Sequence, residues 1–269
     1  LEDLLSKVLT NKPDLLVLMG PFVDTSQEVL AAGDMVLAEE DNDGKVIGEH
    51  SASYEMVFVE KVIRDGVNAI FQAAADSGED LPTNVVMIPS LLDGHHECVY
   101  PQPPFGDREP LDTPYFEEPL GVLNIKHSKE MDADKRVHLL PNPCMFRLNE
   151  ILFGATSNDV LFNLSQDKVM EKTGGALERN AGHLLQQHSF SPQFPAPPKA
   201  LAQMDLRHMP EWTMKQSPDV LLLPSKLGAN GYISTVLDTL IVNPGTLVKG
   251  QSGGGTYAEM HIHPMKQEE

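Results

Sequence analysis

"VVMIPSLLDGHHECVYPQPPF", residues 85–105, joins an apolar strand to a loop that holds an aspartate, two adjacent histidines, a glutamate and a cysteine. Val85, Val86, Met87 and Ile88 form an unbroken apolar run, which predicts a strand covered on both faces. The segment "PDLLVLMGPFVD" repeats the design, with a strand over 15–19 followed by a glycine and a loop that ends at Asp24. Apolar runs at 220–223 and 240–242 are of the same kind. Helical spacing separates them. The opening "LEDLLSKVL" predicts a helix, and "YEMVFVEKVIRDGVNAIFQAAA" puts Val57, Phe58, Val62, Ile63, Ala69 and Ile70 near one helical face. Gly66 weakens that pattern without ending it. Strands alternating with helices predict an α/β architecture with buried sheets.

Working outward, "MFRLNEILFGATS" predicts a hairpin about Leu148-Asn149-Glu150, with 151–153 as its second strand. Ser157 is a candidate cap for the helix in "NDVLFNLSQ". A further helix is predicted in "ALERNAGHLLQQHSF", and a last strand in "GTYAEMHIH". Two acidic stretches, about 31–53 and 107–135, have the composition of surface insertions.

Of the 269 residues, 39 are acidic and 20 basic, a net charge of −19. A field of that sign repels phosphate backbones, so direct DNA binding is disfavoured and a basic protein partner is favoured. There is no apolar run long enough to span a bilayer. Cys98 and Cys144 lack CxxC spacing, which argues against a zinc module and fits a reducing compartment. The sequence opens at Leu1 with no secretory signal and no initiator methionine, and we expect an excised piece of a longer chain.

Three groups of residues have metal-ligand chemistry. Asp93, His95 and His96 follow a strand, where carboxylate and imidazole suit zinc, manganese or iron. Neighbours in one loop seldom converge on an ion, so loop residues satisfying backbone groups are the expected alternative. In "GPFVD" a glycine after a strand precedes Asp24, as in dinuclear phosphoesterases. Pro21 follows that glycine and has no ligand atom, so Asp24 is also expected as a loop cap. His261 and His263 would share one face of a strand, without a third partner. No nucleophile elbow and no Walker pattern occur.

Six blocks carry a specific resemblance: "PDLLVLMGPFVD", "VVMIPSLLDGHHECVYPQPPF", "LNEILFGATSNDVLFNLS", "HSFSPQFP", "PDVLLLPSKL" and "VNPGTLVKGQSGGGTYAEM". In order and spacing they resemble the family of B subunits of DNA polymerase alpha, itself similar to calcineurin-type metallophosphoesterases. The resemblance implies a four-layer αββα sandwich of two mixed sheets flanked by helices. It implies one phosphoesterase-like domain over 1–269, with an oligonucleotide-binding-type barrel lying upstream of this sequence. Pro21 falls where active relatives carry a metal-binding Asp, and Asp24 is the surviving second acid. Their Gly-Asn-His-Asp motif falls on Ser90, Leu91, Leu92 and Asp93. Their Gly-His-x-His motif falls on 224–227, so Ser225 and Leu227 replace both ligand histidines, and Leu222 replaces another upstream.

With Leu, Pro and Ser in place of imidazole and carboxylate, ligands for both ions are missing. The expected protein is therefore non-catalytic and needs no cofactor. The resemblance implies an accessory subunit of the polymerase alpha–primase complex in the nucleus. It would hold the C-terminal domain of the catalytic subunit and reach the primase subunits indirectly. Tyr100, Pro101, Pro103, Pro104 and Phe105 form a candidate interface loop. Two alternatives stay open: a working phosphodiesterase or nuclease using Asp24, Asp93, His95 and His96, and the B subunit of another replicative polymerase.

Overall fold

Leu4, Leu5, Val8 and Leu9 recur at helical spacing, and the chain is helical over Glu2–Asn11 (α1), with Val8 buried against Ile70, Ala74 and Leu81. The computed structural model describes residues 2–40, 46–78, 81–106, 136–166, 175–228, 230–248 and 254–263. The chain divides into two compact units, Leu1–Asn142 with Gln203–Leu206, and Pro143–Ala202 with Arg207–Glu269.

In the first unit a turn at Lys12 leads from α1 into β1 (Leu15–Met19). A short helix, α2 (Glu28–Ala32), is closed by Gly33 at φ 74°, a left-handed conformation that favours glycine. Two strands, β2 (Val36–Glu40) and β3 (Val46–Ser51), then pair antiparallel. The helical run α3 starts at Tyr54–Val57, widens to i→i+5 hydrogen bonding over Phe58–Asn68 and closes as Ala69–Asp76. Ser53 caps it, its hydroxyl accepting the Met56 N–H at 3.2 Å. Gly66 lies inside the widened stretch, so the helix passes through it as the spacing predicts.

β4 (Asn84–Ile88) is central in a sheet of order β1-β4-β5, where β5 is Val137–Leu139. Both pairings are parallel, with Leu15 opposite Asn84 and Met19 opposite Ile88. The described strands of this sheet are thus all parallel, where two mixed sheets are expected. Val85 and Met87 pack with Phe58, Val59, Ile63 and Val67 of α3, and with Val23, Phe105 and Val137. Every residue of β1 is only half-buried, although its run is as apolar as that of β4. β1 is at the edge of the sheet, and apolar composition does not distinguish an edge from a centre.

The acidic segment 31–53 contains the β2–β3 hairpin, where the sequence predicts no strand. Met35, Leu37 and Ala52 are buried against Leu30, Tyr54, Met56 and Val57. Glu39 and Glu40 at the end of β2 and Glu49 within β3 mask their short apolar alternation. The stretch 107–135 lies outside the described residues.

The second unit is built on a five-stranded mixed sheet of order β6-β7-β8-β10-β9. The hairpin β6 (Cys144–Leu148) and β7 (Ile151–Ala155) turns at Asn149, φ 52°. β8 (Val220–Leu222) lies parallel to both β7 and β10 (Thr239–Asn243), and β9 (Tyr232–Val236) closes the edge antiparallel to β10. Helices α4 (Val160–Gln166), α5 (Ala176–Gln186) and the single turn α6 (Pro198–Leu201) also belong to this unit. Leu161, Ala181, Leu184, Leu221 and Ile241 are fully buried.

Two local expectations are corrected in this unit, and one strand is added. Asp159, not Ser157, caps α4, its Oδ1 accepting the Phe162 N–H at 3.0 Å. β9 escapes the apolar pattern because Ser234 and Thr235 interrupt it. The segment 254–263 contains no strand: the Thr256 N–H donates to the Thr246 carbonyl at 2.8 Å, and no ladder follows. Alternating side chains form a strand only beside a partner, which this segment lacks among the described residues.

Candidate functional site

Loops that follow the carboxyl ends of parallel strands are the usual ligand sites of open α/β sheets. Here they are residues 20–24 after β1 and 89–93 after β4. The two come together at a shared pair of residues. The Gly20 N–H donates to the Ile88 carbonyl at 2.8 Å, continuing the β1–β4 ladder past its end. A Cβ on Gly20 would lie 2.6 Å from Asp93 Oδ2 and 2.9 Å from the Ser90 nitrogen, so only glycine permits this approach.

Asp93 is 2% exposed. Its Oδ1 accepts the N–H groups of Phe22 at 2.6 Å and Val23 at 2.9 Å, and its Oδ2 accepts that of Ser90 at 2.8 Å. Burial pushes its pKa up, the three N–H donors pull it down, and nearby Asp24 adds to the rise. The net direction is upward, so loss of water outweighs the hydrogen bonds. The carboxylate is committed to the backbone of both loops. The Asp93 peptide also forms an antiparallel bridge with that of Asp24.

The remaining positions of the expected site are arranged as loop structure. Pro21 is exposed. Asp24 closes its own turn, Oδ1 accepting the Ser26 N–H at 2.9 Å and Oδ2 the Gln27 side-chain amide at 3.4 Å. Leu91 is half-buried and Leu92 is 40% exposed, with the Leu92 carbonyl accepting both N–H and Oγ1 of Thr25 at 3.0 Å.

The two histidines are part of an aromatic cluster. The His95 ring stacks on Phe58 at 3.9 Å and on Phe105 at 5.2 Å, and Phe22 meets both phenylalanines edge-on. The Nε2 of His96 lies 2.8 Å from the Pro103 carbonyl. Asp24, Asp93, His95 and His96 are therefore each engaged locally. No group of three or more His, Cys, Asp or Glu residues able to hold a metal occurs among the described residues.

The loop 97–105 is fixed by two polar residues that no sequence signal singles out. Gln102 and Asn142 are 1% and 0% exposed, and their peptides exchange N–H···O bonds of 2.7 and 3.1 Å. The Asn142 side-chain amide donates to Gln102 Oε1 at 2.9 Å, and Gln102 Nε2 donates to the carbonyls of Ser90 at 3.0 Å and Glu97 at 2.5 Å. Tyr100 is held by Gln203 and Asp205, through bonds of 2.6 and 2.9 Å. Tyr100 and Phe105 point inward and are buried, while Pro101, Pro103 and Pro104 are half-buried. The outward face of the loop is formed by Glu97, Cys98 and Val99 rather than by its rings.

In the second unit, the loop after β8 carries Ser225 and Leu227. Asn243, buried at the end of β10, organises it. Its Oδ1 accepts N–H groups of Ser225 and Gly245 at 3.2 and 2.9 Å, and its Nδ2 faces the carbonyls of Ser225, Leu227 and Gly228 at 3.0 to 3.3 Å. Asp159 Oδ2 accepts the Lys226 N–H at 2.8 Å. Leu222, in β8, is half-buried among the side chains packed on Phe153, Val220 and Val242. The one sequence signal for Asn243 is its place between a buried strand and Pro244-Gly245. His261, outside any strand, lies 3.1 Å from Glu259 in an exposed pair.

Such an arrangement stiffens loops, and among the described residues it leaves no carboxylate–imidazole set facing an open coordination position. A family model for the B subunit of DNA polymerase alpha/epsilon matches residues 1–230. The DNA polymerase alpha B subunit of Mus musculus is 28% identical over 265 residues, covering 97% of this chain and 36% of the relative. The protein of that name from Drosophila melanogaster is 28% identical over 264 residues, 98% of this chain and 34% of its own length. That of Schizosaccharomyces pombe is 26% identical over 273 residues, 99% and 39%. The chain thus spans about a third of the length of the curated relatives it matches.

Proposed function

This chain belongs to the family of DNA polymerase alpha/epsilon B subunits, and on that premise we propose that it serves as a non-catalytic accessory subunit of DNA polymerase alpha–primase. It acts in the initiation of DNA replication, in the nucleus, by holding the C-terminal domain of the catalytic subunit. The primase subunits are reached through that contact. The names of the relatives support polymerase alpha over another replicative polymerase.

One observation carries the non-catalytic half of this reading. Both oxygens of Asp93, the acid retained from the expected metal site, are taken by backbone N–H groups from two loops. A carboxylate so engaged and only 2% exposed has one lone pair, on Oδ2, left to offer an ion. Pro21, Leu91, Leu92, Leu222, Ser225 and Leu227 mark the other former ligand positions. The same reading makes residues 1–269 one calcineurin-like domain, preceded in the full protein by an oligonucleotide-binding-type barrel. Helices accompanying a three-stranded and a five-stranded sheet support it. Loop 97–105 remains the interface candidate, through its exposed edge and half-buried prolines.

The direct test is co-purification of the full-length protein with the C-terminal domain of the catalytic subunit. Retention at low and moderate salt is expected, and failure at both overturns the scaffold role. Hydrolysis of a phosphodiester by the purified chain with added manganese overturns the non-catalytic role.

A further inference from the structure

β2 and β3 pair with each other and, among the described residues, with no other strand. An open strand edge presents a row of backbone N–H and C=O groups to any chain that can lie alongside. In β3, Val46, Ile47, Glu49 and Ser51 are exposed. The register opposes Val36 to Ser51 and Ala38 to Glu49, and side chains alternate along each strand. Val36, Ala38, Glu49 and Ser51 therefore share the outer face, with Leu37 buried beneath, and Ile47 is exposed next to them at a break in register opposite Glu39 and Glu40. Val36 is 57% exposed and Ile47 is 60% exposed. This outer face is apolar at β-branched residues suited to strands, yet no described residue of the first unit covers it.

Charge selects what covers it. Residues 28–55 contain eight acids and, among lysine and arginine, only Lys45. A second copy of the same ribbon would bring like charges together, and a nucleic acid would meet the same repulsion. A strand of opposite sign gains backbone pairing, apolar contact and attraction together.

We propose that the outer edge of β3 is a strand-addition site for an extended lysine- or arginine-rich segment of a partner protein. The segment completes the ribbon as a third strand. Two positions apart on one face of that strand, an apolar side chain meets Ile47 and a cation lies beside Glu49. The site is remote in sequence from loop 97–105 and stands or falls independently of the catalytic-subunit contact.

The test uses the 269-residue chain and a labelled nine-residue peptide that carries valine and lysine two residues apart, so that both lie on one face. Saturable binding is expected, with slowed amide hydrogen exchange in β3 and weakening as salt rises. Glu49→Lys turns attraction into repulsion and is expected to weaken binding about tenfold. Ile47→Ser is expected to weaken it severalfold, and neither change shifts the urea midpoint. Absence of saturable binding overturns the proposal, as does affinity equal in wild type and both variants, or slowed exchange confined to other segments. Protection of β3 that grows with protein concentration without peptide assigns the edge to a second copy and also overturns it.

Discussion

Gly20 and Asp93 are mutually dependent: the 2.6 Å between a would-be Cβ and Asp93 Oδ2 is the clearance that lets one carboxylate bind both loops. Gly20→Ala must displace Asp93 or the Ser90 backbone, and is expected to cost about 1–3 kcal/mol. Asp93→Ala strands three N–H groups, two of them buried, and is expected to cost about 3 kcal/mol. Because both act on one clamp, the double variant should cost less than the sum. Urea midpoints of wild type, both single variants and the double variant check this.

Asp93 also predicts a pH dependence with a definite sign. Its carboxyl binds a proton more tightly folded than unfolded, chiefly because it is buried. Its contribution to stability is therefore greatest at acid pH. It falls as pH rises from the ordinary aspartate range through the raised value, then levels. Comparison with Asp93→Asn isolates the slope, since the amide does not titrate. Urea midpoints between about pH 4 and about pH 7 should show the wild type losing stability relative to Asp93→Asn as pH rises.

Asn243 predicts a local rather than a global effect at the other loop. Asn243→Leu keeps the volume but removes the donor shared among the carbonyls of Ser225, Leu227 and Gly228. A loss of about 2–3 kcal/mol is expected, together with faster proteolysis within 225–231. Asn243→Asp should be no milder, since it retains the acceptor but buries a charge facing carbonyls.

The two cysteines should differ in reactivity. Cys98 is exposed, while burial at the start of β6 pushes the Cys144 thiol up to about 12. The thiolate is the reactive species. A thiol-labelling time course at neutral pH should modify one group per chain quickly and the second only as the protein unfolds. Cys98→Ser should abolish the fast phase.

Much of the scaffold was legible because it is written in short-range pattern. The unbroken apolar runs of β1, β4, β8 and β10, and the polar turn at 148–150, declare themselves within a few residues. β9 did not, because Ser234 and Thr235 break the apolar run. The segment 254–263 misled for the complementary reason, since alternation is necessary for a strand but a neighbour is what makes one. At the site, the presence of Pro21, Leu91 and Leu92 where ligands were expected was plain in the sequence. The engagement of Asp93 was not. Its acceptors serve Phe22 and Val23 from about seventy positions away, and Gln102 finds Asn142 across forty. Pairing at such separations is decided by topology, which residue type alone does not encode.

Tyr100 reaches its backbone partners at Gln203 and Asp205 only after the chain has left the first unit, passed through α4 to α6 and come back. On a ribosome, the first unit therefore emerges with its loop 97–105 half-anchored, and stays so until residues 203–206 follow. A chain cut after Asn142 keeps the Gln102–Asn142 pair but never receives that second tether. The boundary between the units is consequently no place to divide the molecule. Synthesis of one unit finishes inside the other, and the order of the gene imposes a wait on the order of folding.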